Sequence, residues 1–142
     1  MSNLNFGKYA IVDPVKHVFE QEPDWYWLIK PVTAAAELAV ARILSTDKTR
    51  VEADGTRVSM MPTSLEIAIK EIAVTFAGTN IPTSETDPTP ILKESATLTE
   101  IETIVGQMPR TMVLELWKAV GEACPGWGSW KAKQQGDKEP KN

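Results

Sequence analysis

The apolar pattern changes period at Lys30-Pro31, and that change limits the folds open to this chain. Upstream, Trp25 to Lys30 reads Trp-Tyr-Trp-Leu-Ile-Lys, the most strand-prone stretch in the sequence. Aromatic and β-branched residues of this kind suit a half-buried pleated surface. Downstream, Thr33 to Leu44 is Thr-Ala-Ala-Ala-Glu-Leu-Ala-Val-Ala-Arg-Ile-Leu, built from residues that cost least inside a helix. A strand feeding directly into a helix points to a mixed α+β architecture. With 142 residues, the chain is the size of one domain, about 100–200 residues.

On the N-terminal side, Lys8 to Val12 is a short β-favouring run, interrupted by Asp13-Pro14. Val15, His17 and Phe19 then alternate with Lys16, Val18 and Glu20, a partial period of two. Glu22-Pro23-Asp24 reads as a turn. Segments 15–21 and 25–31 are therefore expected to pair antiparallel. The alternative makes Asp13 an N-cap and Pro14 the first residue of a short helix. Thr33 is positioned to cap the 33–45 helix, with Leu38, Ala41, Ala34 and Ile43–Leu44 as its apolar face.

Asp54-Gly55 lies between the β-branched runs 49–53 and 56–60, a signature of a hairpin closed by a type I′ turn. Val51 and Val58 would share one face of it. Thr63-Ser64-Leu65-Glu66 has the form of a capping box opening a helix over 64–78. Leu65, Ile69, Ile72, Ala73 and Phe76 fall on one face of that helix, and Gly78 would close it. Residues 79–96 are polar and carry Pro82, Pro88 and Pro90, a flexible surface loop. Thr97 or Thr99 caps a helix over 98–107, and Pro109 fits the start of a helix over 110–123. Residues 131–142 hold no apolar residue except Ala132 and read as a disordered polar tail. The expected fold is α+β and mainly helical: about four helices, a small N-terminal β element and a β-hairpin near residues 49–60, in one globular domain spanning 1–130.

Composition narrows the function. Lys and Arg total 15 against 19 Asp and Glu, a net charge of −4, which lacks the basic footprint of a nucleic-acid binder. No apolar run reaches the roughly 18 residues of a membrane span, and the first residues do not read as a signal peptide. One cysteine excludes an internal disulfide framework, and one histidine excludes multi-histidine metal sites. No phosphate-loop, dinucleotide, zinc-protease or serine-hydrolase motif occurs. Cys124 lies at a helix C-terminus, where the dipole opposes a thiolate. His17 reads as a packing or surface residue. Glu66 and Lys70 stand four residues apart, as on a solvated helix face. The expectation is a non-enzymatic protein with no catalytic residue, cofactor or metal.

The five tryptophans are the unusual feature. Trp25, Trp27 and Trp117 read first as core residues. Trp127 and Trp130, in a Gly-Ser segment before the tail, read equally well as core or as docking anchors of the kind enriched at binding hot spots.

Three segments then carry a resemblance. The first is Trp-Leu-Ile-Lys-Pro-Val-Thr-Ala-Ala-Ala-Glu at 27–37. The second is the apolar helix from Ser64 to Thr79, followed by Asn80 and a proline-broken acidic loop. The third is Met-Pro-Arg-Thr-Met-Val-Leu-Glu-Leu-Trp-Lys-Ala-Val at 108–120, with a Pro-Gly-Trp end and a polar tail. In this order they resemble the tail assembly chaperones of long-tailed bacteriophages, over about three-quarters of the chain. The resemblance implies a small, mainly helical protein that coats the tape measure protein in the host cytoplasm while the tail tube polymerises. It also implies absence from the finished virion and, in many members, a longer frameshifted form. The implied partner is a long helical protein, the tape measure protein, or other phage tail proteins, with homo-oligomerisation left open and neither nucleic acid nor membrane involved. Met112, Trp117, Trp127 and Trp130 are the candidate partner-binding residues. The family has no invariant ligand motif, so no single residue role carries over. The N-terminal strands and the 49–60 hairpin match no shared pattern, which leaves a second reading: a virion structural protein such as a neck, tail-terminator or capsid-associated subunit. A third reading, a small enzyme using Cys124 or carboxylates, has the least support.

Overall fold

Tyr26–Ile29 forms the central strand, β2, of a three-stranded antiparallel sheet. The computed structural model describes residues 6–7, 13–45, 48–60, 64–124 and 127. Strand β1, Val15–Val18, pairs with β2 in the register Val15 to Ile29 and Val18 to Tyr26. This is the antiparallel pair the alternation predicts, and it displaces the short-helix alternative for that segment. Period two shows directly in β2: Trp27 and Ile29 are fully buried, while Tyr26 and Leu28 are half-buried. The β-favouring run at 8–12 lies outside the described residues.

Helix α1 spans Ala34–Ser45, and the Thr33 hydroxyl accepts a hydrogen bond from the Ala36 amide at 3.2 Å, the expected cap. Its buried face differs from the expected one. Val40 is buried and Ala36, Ala39 and Ile43 are half-buried, whereas Ala34, Leu38 and Ala41 are exposed. An alanine-rich helix is apolar on two sides, so periodicity alone does not choose between them.

Strands β3, Lys48–Val51, and β4, Arg57–Met60, make a separate two-stranded hairpin. Its turn is not type I′. Gly55 has a φ of 87°, but no described non-glycine residue has a positive φ. The Gly55 amide donates to the Glu52 carbonyl and the Glu52 amide to the Thr56 carbonyl. Ala53-Asp54-Gly55 is thus a three-residue loop with glycine at its left-handed position. The register pairs Val51 with Arg57 and Val58 with Arg50, one residue away from an alignment that puts both valines on one face.

Helix α2 is Ser64–Val74, shorter than the predicted 64–78. Thr63, the proposed cap, lies outside the described residues. The helix ends at a turn on Thr75, and the chain runs extended from Phe76. The Thr75 hydroxyl donates to the Glu71 carbonyl at 2.7 Å, and the Thr75 carbonyl accepts from the Lys30 amide at 2.8 Å. Residues Phe76–Thr79 become β5, on the other side of β2 from β1. Gly78 is a strand residue rather than a helix cap. It pairs with Leu28, and the register shifts between Leu28 and Ile29 so that Phe76 meets Ile29. The Phe76 ring packs edge-on against Trp27 at 4.9 Å.

Residues 80–97 do not run as a free linker. The Ile91 amide donates to the Ile81 carbonyl at 2.7 Å and the Thr83 amide to the Thr89 carbonyl at 2.8 Å, with Ile81 and Leu92 buried. The composition reads as mobile because it is polar and proline-rich; two apolar anchors and these backbone pairs set its path.

Helix α3, Leu98–Gly106, opens with the predicted capping box between Thr97 and Glu100. Helix α4 is Arg110–Ala123, with Pro109 as its N-cap, one position before the first helical residue. The core joins the sheet to the helices through Trp27, Ile29, Ile72, Val105, Leu116 and Val120. Helix α2 sits at its centre, packing against α1, α3 and α4, and α4 also reaches β1. Lys70 pairs with Glu102 of α3 at 2.6 Å, so this lysine ties α2 to α3.

Candidate functional site

The N-terminal turn of α4 and the β1–β2 connection frame a groove of about 180 Å³. Phe19, Trp25, Pro109 and Met112 give it apolar walls; Gln21, Glu22, Thr111 and Glu115 complete it. Local chemistry fixes each side. The Phe19 amide donates to the Trp25 carbonyl at 3.2 Å, and the Trp25 amide to the Glu22 carbonyl at 2.9 Å. Asn80 braces the same connection from the far side of β2, accepting from the Tyr26 amide at 2.7 Å and donating to the Asp24 carbonyl at 2.8 Å. Pro109 sets the start of α4, and the Met112 amide bonds its carbonyl at 3.0 Å.

The rim is closed by a link between distant segments. Nε2 of His17 lies 2.5 Å from Oε2 of Glu115, and the Glu20 amide donates to the same oxygen at 3.2 Å. The His17 ring stands edge-on to Phe19, 5.2 Å away. A groove with an aromatic and thioether lining beside two carboxylates can receive an apolar side chain flanked by basic residues. A thioether adapts to differently shaped occupants.

A second constellation is buried between α2 and α4. Trp117 is 4% exposed, and its indole N–H donates to Oε2 of Glu71 at 2.6 Å. Burial pushes the Glu71 carboxyl above the ordinary glutamate range, and the Trp117 bond pulls it partly back. Cys124 caps α4 with its thiol directed to the Lys30 carbonyl. Burial is the main cause that pushes this thiol up, with the Glu71 charge adding to it. A raised thiol is the opposite of an activated nucleophile. Trp27, fully buried, has an indole N–H with no hydrogen-bond partner among the described residues.

The three candidate partner-binding residues that are described, Met112, Trp117 and Trp127, do not come together. Met112 lines the groove. Trp117 is a core residue, hydrogen-bonded to Glu71, and offers no docking surface. Trp127 is half-buried against the core, its amide donating to the Cys124 carbonyl at 2.8 Å. It follows the C-terminal end of α4, whereas Met112 lies in the first turn of that helix. Trp130 lies outside the described residues. Sequence reasoning missed Phe19 and Trp25 as groove walls, because they come from a connection whose shape depends on Asn80. It also missed Glu71, although Glu71 shares a helical face with Ala68 and Ile72, the signal of an inward-facing carboxylate.

Among the described residues, no group of three or more His, Cys, Asp or Glu side chains gathers as a metal site. No helix among them is long and apolar enough to cross a membrane. Comparison with protein-family models, curated proteins and solved structures finds no match to this chain.

Proposed function

We propose that the chain is a non-enzymatic assembly chaperone of a long-tailed phage, which holds the tape measure protein while the tail tube forms around it. The three-segment resemblance motivates the reading, and the groove lined by Phe19, Trp25 and Met112 is the observation that carries it. A long helical partner presents an apolar seam with charged flanks. One seam side chain fills the groove, and basic flanking residues meet Glu22 and Glu115.

The test is affinity capture from the producing cells, with mass spectrometry of the prey. The expected prey is one very long protein with heptad-patterned helices. Thr111→Arg, at an exposed position on the groove wall, obstructs the groove without touching the core and lowers the yield about tenfold. Equal capture by wild type and Thr111→Arg contradicts the docking site. Prey without a long helical protein contradicts the chaperone reading.

A further inference from the structure

Helix α1 is apolar on two faces, and the fold uses one of them. Ala36, Ala39, Val40 and Ile43 are turned inward, where α1 packs on α2. The opposite side presents Ala34, Leu38 and Ala41, all exposed, with Leu38 at 53%. These positions step by four and three. That is the 3.5-residue repeat of a two-helix seam. The helix holds two charged residues, Glu37 and Arg42, both exposed, one on each flank of the seam.

We propose that this face is an interface with a second copy of the chain, the two α1 helices lying parallel about a twofold axis. The charges select both the partner and its direction. In a parallel pair, a residue on one flank meets the residue five positions further along the opposite flank of its mate. Glu37 then meets Arg42 of the second copy, and Arg42 meets Glu37 of the second copy. An antiparallel pair sets each flank against its own kind and loses both contacts. A guanidinium carries five donors, so a bond within the protomer is compatible with one across the interface. Along the seam, Leu38 meets its own copy between layers of alanine, which let the helices approach closely. A twofold pair is self-complementary by construction, which is what a seam carrying one acidic and one basic flank residue requires.

Sedimentation velocity of the full chain over a concentration series tests this. The expected result is a reversible dimer that Leu38→Glu converts to monomer with its far-UV circular dichroism unchanged. Glu37→Arg weakens association about tenfold by replacing two attractions with two repulsions, and Glu37→Arg with Arg42→Glu restores it. In a Cys124→Ala background, Ala41→Cys forms a disulfide-linked dimer under mild oxidation, and Val51→Cys on the exposed hairpin does not. A monomer at every concentration, a dimer that survives Leu38→Glu, or a double charge swap no tighter than the single one overturns the proposal. It stands apart from the chaperone reading: a monomeric chain removes this interface and leaves the groove as it was.

Discussion

At the scale of single residues, Glu71 is the most consequential side chain in the core. Its carboxyl is buried, its hydrogen-bond donor is the Trp117 indole, and burial raises its proton affinity in the folded state. The folded protein therefore holds this proton more tightly than the unfolded chain does. The associated stability is fully present below the unfolded pKa and is lost as pH rises through the higher folded value. Glu71→Gln keeps an oxygen for Trp117 and removes the charge. Thermal denaturation across pH 4 to 8 should show the variant gaining on wild type as pH rises, by about several degrees in melting temperature near neutrality. Asp54 and Asp87 act in the opposite direction: bonds from Thr56 and Thr89 lower their carboxyls, so their contribution fades as pH falls. The difference between wild type and Glu71→Gln isolates Glu71 from both. A difference that does not change with pH contradicts the assignment.

At the scale of elements, the α2–β5 junction sets the shape of the sheet. Gly78 has a φ of +158°, and a Cβ there would lie 3.3 Å from Cδ1 of Leu28. Gly78→Ala should cost about 1–2 kcal/mol in denaturant melts through this contact and the backbone angle, and an unchanged midpoint contradicts it. This junction also shows where reading the sequence stops. The cap at Thr97, the antiparallel β1–β2 pair and the extent of α4 follow from local rules, because each depends on residues close in sequence. β5 does not. Phe76 continues the helical spacing of Ile69 and Ile72, and its strand conformation comes from Ile29 and Trp27, more than forty positions earlier. The outward turn of Leu38 has the same origin. Both sides of α1 satisfy a helical pattern, and packing on α2 chooses between them. The three-residue loop at Ala53-Asp54-Gly55 is a smaller case, since Asp-Gly serves more than one hairpin geometry.

At the scale of the whole molecule, the candidate site was only partly legible. Among the described residues, Met112 is the one predicted contact residue that lines the groove. Phe19, Trp25 and Glu115 join it through the Asn80 brace and the His17–Glu115 link, both of which span distant segments. The tryptophans divide by position: Trp27 and Trp117 are buried, and Trp25 and Trp127 are half-buried against the core. Indole count alone therefore says little about docking. The described surface includes an apolar groove edged by carboxylates and a helix face with a seam pattern. Surfaces of that kind recognise other polypeptides, in keeping with a protein that acts by holding a partner.

The central claim is that this holding is transient, ending when the tail is complete. The direct measurement is the number of copies of this protein in purified phage particles, counted by quantitative mass spectrometry against a known tail protein, beside the same count in cells during assembly. The account predicts abundant protein in assembling cells and fewer than about one copy per finished particle. A fixed stoichiometric number of copies in the particles would contradict it and identify the chain as a structural component of the virion.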